Sequence, residues 1–286
     1  MMRQIIFVFL LLICSSAFAQ TSVFEVSKDE HKLYLVGTVH MLPNSAFPLP
    51  EAFNYAYENS STLVFEADVR QLETAMGMQL VMQHARYQDG NSLTKVLSAA
   101  SHKALAEQAA NLGLNILGLD SFKPDFVIIN LMQQALKKAN LAGIGVDRYY
   151  LDKAQQEQRE LAFLETIEQQ LALLFNISAG NEDFFIEQSL NDLQGIEAQL
   201  TSIIKAWREG NLNSLAELAM EHADTAIGKQ FYDKMLTQRN KAWLPQLEAM
   251  LATAEVEMVL VGALHLAGEH NLLQLLQQQG YKVTQL

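Results

Sequence analysis

Two kinds of apolar pattern alternate along the chain. Short β-favouring runs at 22–26 and 32–36 flank the polar Lys28, Asp29, Glu30 and His31, which predicts a hairpin. Further strand candidates lie at 62–65, 116–119, 161–164, 256–261 and 281–286. Three of them stop at an acid: Glu66 (with Asp68 close behind), Asp120 and Glu165. A short unbroken apolar run is what a strand covered on both faces presents. Between these runs the spacing turns helical. Helices are predicted at about 51–60, over 70–110 with a turn at 89–91, from Pro124 to about Asn140, over 147–158 and over 269–279. Proline suits a first helical turn, and Pro43, Pro48 and Pro50 mark a loop before the first helix. Residues 166–254 read as almost wholly helical, broken at Gly180 and Gly210, with Gly210 capping a helix end.

Strands alternating with helices predict an α/β fold, a central β-sheet flanked by helices. It would hold two pseudo-equivalent halves and a helical insertion at about 166–237. No Gly/Ser linker interrupts the chain, so residues 20–286 are expected to form one domain. Residues 1–19 read differently: Arg3, an uncharged apolar run over 5–13, then Ala17, Phe18 and Ala19. That is the pattern of a signal peptide cleaved before Gln20, and it predicts a periplasmic or secreted protein. The run is short for a bilayer span, so no stable membrane insertion is expected after cleavage. The one cysteine, Cys14, lies inside this leader, preceded by Ile13 rather than the small residue of a lipid-anchoring site. The mature part therefore lacks disulfides, thiolate metal sites and a cysteine nucleophile. The chain carries a net −12, and the leader holds one arginine and no acid, so the mature part is more acidic still. Such a surface repels phosphate backbones, and nucleic acid is not an expected partner. Oligomeric state stays open.

One pattern occurs twice. Leu35, Val36, Gly37 and His40 match Leu260, Val261, Gly262 and His265, each set closing an apolar strand. Glycine permits a sharp turn or a close backbone approach. A histidine three residues on can then point into the crevice beyond the strand ends, where open α/β sheets bind ligands. Read blandly, both are buried turn histidines that fix loops. Glu66 ends a strand of the same sheet and could bind a cation, take a proton or orient an imidazole. It could equally be a capping or exposed acid, and Asp68 could share its part. The chain has no Gly-x-Ser-x-Gly elbow and no His-Glu-x-x-His. Met76, Met78 and Met82, at helical spacing, are expected to pack in the core.

Six segments, 34–40, 64–68, 145–150, 164–171, 238–240 and 260–265, together resemble the TraB/GumN family, which includes the TIKI proteases that trim secreted Wnt ligands. The resemblance covers nearly the whole mature chain. It implies a divalent-metal-dependent hydrolase, with manganese or cobalt favoured, acting on a peptide or related bond. His40, Glu66 and His265 would be both metal ligands and catalytic residues. Arg239 and Asn240 match the family's Arg-Asn pair; Arg239 could hold a substrate carboxylate or an oxyanion, or the two could be a salt bridge and a helix cap. Asp147, Arg148 and Tyr150 fit its Gly-x-Asp element, Asp147 as an N-cap and Tyr150 reaching the crevice. Glu165 and Glu168 read as helix-start acids or as a second ligand set. The family lies near erythromycin-esterase-like and haem-binding ChaN-like proteins. Two alternatives follow: a metal-independent, histidine-based hydrolase, and a regulatory protein that binds haem, a peptide or another small ligand without turning it over.

Overall fold

The structure is a computed structural model and describes residues 20–286 apart from 221–225. The expected leader, residues 1–19, lies outside the described residues. The hairpin forms where predicted: β1 (Val23–Lys28) and β2 (His31–Thr38) pair antiparallel, turning at Asp29. Helix α1 (Glu51–Glu58) leads to β3 (Thr62–Phe65). Helices α2 (Ala75–Ala85), α3 (Leu93–Val96), α4 (Ala99–Asn111), α5 (Pro124–Lys138) and α6 (Val146–Gln156) precede β4 (Glu160–Phe163). Next come α7 (Ile167–Leu174), α8 (Glu182–Arg208), α9 (Leu212–Met220), α10 (Ala226–Tyr232) and α11 (Gln238–Met250). Strand β5 (Glu257–Gly262), helix α12 (Leu272–Gln278) and β6 (Lys282–Gln285) close the chain.

The six strands form one sheet in the order β4-β3-β5-β2-β1-β6. Strands β4, β3, β5 and β2 run parallel, so their carboxyl ends share one edge. Helices cover both faces, which gives the α/β fold. Tyr34, Val36, Phe65 and Leu260 meet α1, α6 and the end of α8 on one face. Leu33, Leu35, Val64, Val259 and Val261 meet α11 and α12 on the other. The alternation follows from the period of two along a strand. Because neither face is wet, these strands carry no polar stripe. Helices α3, α4, α5, α7 and α8 bury Leu93, Leu105, Leu131, Leu171 and Leu193 in a further cluster beside the sheet.

Two expectations need correction. The run at 116–119 is a 3-10 turn, not a strand. The Asn115 side chain caps it by accepting from the Leu117 N–H, and Leu117 stands 79% exposed. Four apolar residues make a strand only where a neighbouring strand offers pairing, and none does here among the described residues. Met76, Met78 and Met82 are not core either: they lie on the outer side of α2, at 78%, 55% and 37% exposure.

Candidate active site

Parallel neighbours β2, β5, β3 and β4 deliver four segments to one edge of the sheet: the His40 turn, the His265 turn, Glu66 and Glu165. Both rings come to Gly262. A Cβ there would stand 3.3 Å from Glu66 Oε1, 3.7 Å from His265 Cδ2 and 3.9 Å from His40 Nε2. The two distant histidines and the strand-end acid therefore share one crevice.

The matched motifs are not matched in register. Gly37 pairs with Val261, and Thr38 with Gly262, so the second copy lies one residue out of step. A one-residue offset turns a side chain to the other face. Gly37 accordingly faces Ala263 and Leu266, leaving room for the 3-10 turn (Ala263–Leu266) that carries His265. Gly262 faces the crevice, where any side chain would fill the space between Glu66 and the imidazoles. Its N–H donates to Glu66 Oε1 at 2.6 Å. Trp207 anchors the first turn by donating from Nε1 to the Gly37 carbonyl at 2.7 Å.

His265 is 2% exposed. Both N–H groups of the Asn240 amide lie against backbone carbonyls, those of His265 and His270, so its oxygen faces the ring. His265 Nδ1 therefore carries the proton and donates to Asn240 Oδ1 at 2.6 Å. The bare Nε2 accepts from Arg239 Nη1 at 3.0 Å. Burial holds the pKa of this ring down at about 3, against an ordinary 6.5, and it is neutral at pH 7.

His40 is the opposite case. Its side chain is 65% exposed, Nδ1 lies 3.1 Å from Asp147 Oδ1, and Nε2 makes no hydrogen bond with a described residue. The Asp147 charge lifts its pKa from 6.5 towards about 9. At that exposure water screens part of the attraction, so the ring titrates between those two values.

Asp147 reaches His40 because the 143–145 loop lies directly on the His40 turn. Val146 N–H donates to the Val39 carbonyl at 3.1 Å. A Cβ on Gly145 would stand 2.5 Å from the His40 carbonyl carbon and 2.7 Å from its Cα. Gly145→Ala is expected to cost roughly 1–3 kcal/mol, the range for overpacking a site that cannot yield. Chemical denaturation would measure it, and an unchanged midpoint would show that the loop relaxes freely.

Arg239 ties the centre together. Nε donates to Glu165 Oε2 (3.2 Å), Nη1 to the Met235 carbonyl (3.2 Å) and to His265 Nε2, and Nη2 to Glu66 Oε2 (2.5 Å) and Glu165 Oε1 (2.7 Å). A guanidinium has five N–H donors, and all five are used. The cation lies 4.5 Å over the Trp243 ring, and Trp243 also packs against His265 at 4.5 Å between centroids. Burial opposes the charge of Arg239, but the two carboxylates outweigh it and keep the guanidinium protonated. Burial also pushes Glu66 up; the charge of His265 once it is protonated in acid, then those of Arg239 and His40, and the Gly262 N–H overcome this and hold it at about 2. Gln170 completes the carboxylate, donating to Oε2 at 3.1 Å. Burial raises Glu165. A π-helical turn (Asp233–Thr237) runs straight into α11, so Arg239 and Asn240 sit inside a continuous helix rather than before one. Such turns recur at functional sites.

The other sequence candidates fall elsewhere. Asp147 is not the cap of α6, a place taken by Gly145, but the partner of His40. Arg148 pairs with Glu73 and Asp152. Tyr150 is buried against Tyr57, its hydroxyl on Asn54, away from the crevice. Asp68 caps the next turn and binds Arg70. Glu168 lies 3.9 Å from His84, apart from Glu165. A groove of about 720 Å³ opens elsewhere, between α9, α12 and β6, and none of His40, Glu66, Arg239, Asn240 or His265 lines it.

The TraB/PrgY/gumN family model matches residues 22–285. The chain belongs to the TraB/PrgY/gumN family. Two curated relatives, each described as uncharacterized protein YbaP, from Escherichia coli (strain K12) and Shigella flexneri, are 28% identical over 245 residues. That stretch is 85% of this chain and 87% of theirs. No solved structure matches the chain.

The divalent ion that family resemblance implies can be tested against these donors. The types suit it: two imidazoles and a carboxylate, with each Nδ1 held by an oxygen acceptor as metal-binding histidines commonly are. The lone pairs do not. An ion needs His265 Nε2 and Glu66 at about 2.0–2.2 Å. Arg239 already donates to both, and it would bring its positive charge into contact with the ion. The seat suits a cation, and in this arrangement the cation is Arg239.

Proposed function

We propose that this protein is an exported hydrolase that adds water to a peptide or related carbonyl bond, with His40 and Asp147 as its acid–base pair. One observation carries the reading: the two Gly-x-x-His turns meet at Gly262 with their imidazoles in opposite states. Titratable groups whose surroundings push them apart are how one site divides acid and base work. Unprotonated His40 Nε2 takes a proton from water and later returns it to the leaving group, while Asp147 holds the ring and steadies its charged form. Neutral His265, locked between Asn240 and Arg239, holds its side of the crevice. The full set of partners on Arg239 leaves it no donor for a substrate carboxylate or oxyanion, so its part is to keep Glu66 and His265 in place. Export rests on the leader-like residues 1–19. Among the described residues no helix is long and apolar enough to cross a membrane.

The test is an assay on a panel of peptide and ester substrates, with and without a chelator. Turnover of at least one substrate that survives chelation is expected. No turnover across the panel, or turnover abolished by chelation and restored by manganese or cobalt, would sink this reading.

A further inference from the structure

We propose that Arg239 is the resident cation of this centre, and that divalent ions are excluded from it as long as the guanidinium is seated. The inference concerns the cation seat and stands apart from whether the protein hydrolyses anything.

Glu66 and Glu165 are both almost buried, with side chains 9% and 11% exposed, and they reach the same guanidinium nitrogen at 2.5 and 2.7 Å. Two carboxylates sharing a dry site need a positive charge between them. Beside them stands the bare Nε2 of a neutral imidazole, 3.7 Å from Glu66 Oε1. Carboxylates and an imidazole around a charge of about +2 would describe a transition-metal site. Here the same groups surround a planar guanidinium whose every N–H is matched to an acceptor, with an indole face beneath it. That fit is directional, which a spherical ion does not need and a fork of donors does. Seating an ion on His265 Nε2 and Glu66 would cost Arg239 two of its bonds and set two like charges against each other.

Without the guanidinium the logic reverses. Arg239→Gln leaves two carboxylates and the imidazole facing an uncharged gap, a donor set suited to manganese or cobalt. Arg239→Lys keeps the charge in place and should keep ions out.

The purified protein and these variants would be titrated with manganese and cobalt, followed by calorimetry and, for manganese, by electron paramagnetic resonance. Wild type and Arg239→Lys are expected to show no His265-dependent binding up to millimolar ion. Arg239→Gln is expected to bind at least about 100-fold more tightly, the scale set by relieving a contact between like charges. Adding His265→Ala to that variant should abolish the binding. If Arg239→Gln is unfolded in buffer, manganese or cobalt should restore its circular dichroism, because the ion replaces the lost charge. Micromolar, His265-dependent binding by wild type overturns the proposal. So does a variant that binds no better than wild type, or one that stays unfolded with either ion. Turnover is not read here, so failure of the cation seat and failure of the hydrolase reading are told apart.

Discussion

Replacing His40 with alanine is expected to lower turnover by about 10²- to 10⁴-fold, the usual worth of a positioned acid–base group. The fold should hardly change, because the side chain is 65% exposed and its one polar partner among the described residues is Asp147. The pH dependence gives a sharper form of the same prediction. Asp147 favours the protonated ring and so raises its pKa above 6.5, towards about 9. The base form therefore appears only as pH rises through that range, and kcat/KM should climb across it. Asp147→Asn removes the charge, so the limb should move down towards 6.5 while the plateau falls because the ring is less well held. A pH–rate profile of both proteins checks this. An unmoved limb in Asp147→Asn would mean that another group is titrating.

Arg239→Gln is expected to cost about 3–5 kcal/mol of stability, the range for taking one partner from a buried ion pair. At roughly 2–4 °C per kcal/mol for a chain of this size, Tm should fall by about 10 °C. The sign of the pH effect separates this from a simple loss of packing. Glu66 is held at about 2 against an ordinary 4.5, so its contribution is complete above 4.5 and is lost as pH falls towards 2. His265 is held at about 3 against 6.5, so its contribution is complete above 6.5 and is lost as pH falls towards 3. Wild type should thus lose stability steadily below about pH 6.5. The variant has already forfeited the Arg239 part of the Glu66 share, so its carboxylate protonates at a higher pH than in wild type. The two Tm curves should therefore lie furthest apart near neutrality and close up in acid. A gap that stays constant with pH would show that Arg239 acts through shape alone.

Much of this architecture is legible in the chain. The buried strands stand out as unbroken apolar runs, and the glycine after α8 marks its end as expected, at a φ of 61°. Position at a strand end identified His40, Glu66 and His265, and family likeness added Arg239 and Asn240. The run at 116–119 misled because a short apolar run has the same composition in a strand and in a turn, and only a pairing neighbour decides. Met76, Met78 and Met82 misled because helical spacing says which residues share a side, not whether anything covers it. Asp147 was visible as part of the family's Gly-x-Asp element and as an N-cap, but not as a partner of His40. Its partner is set by Gly143 and Gly145, whose bare backbone lets one loop lie on another more than 100 residues away. Glu165 read as a strand-end acid that was either a helix-start acid or part of a second ligand set; it sits before the cap of α7 and shares Arg239 with Glu66. Gln170 gave no local signal at all. These are contacts between distant segments, and no local pattern encodes them.

The one-rung slip between the twin turns has a consequence for how the two copies can change. By the residues they share they look interchangeable, yet each stands in a different electrical climate, one ring open to water beside an acid, the other sealed under an indole. Neither copy is a spare for the other. Damage to the first would disarm the centre and leave its frame standing; damage to the second would loosen the frame itself.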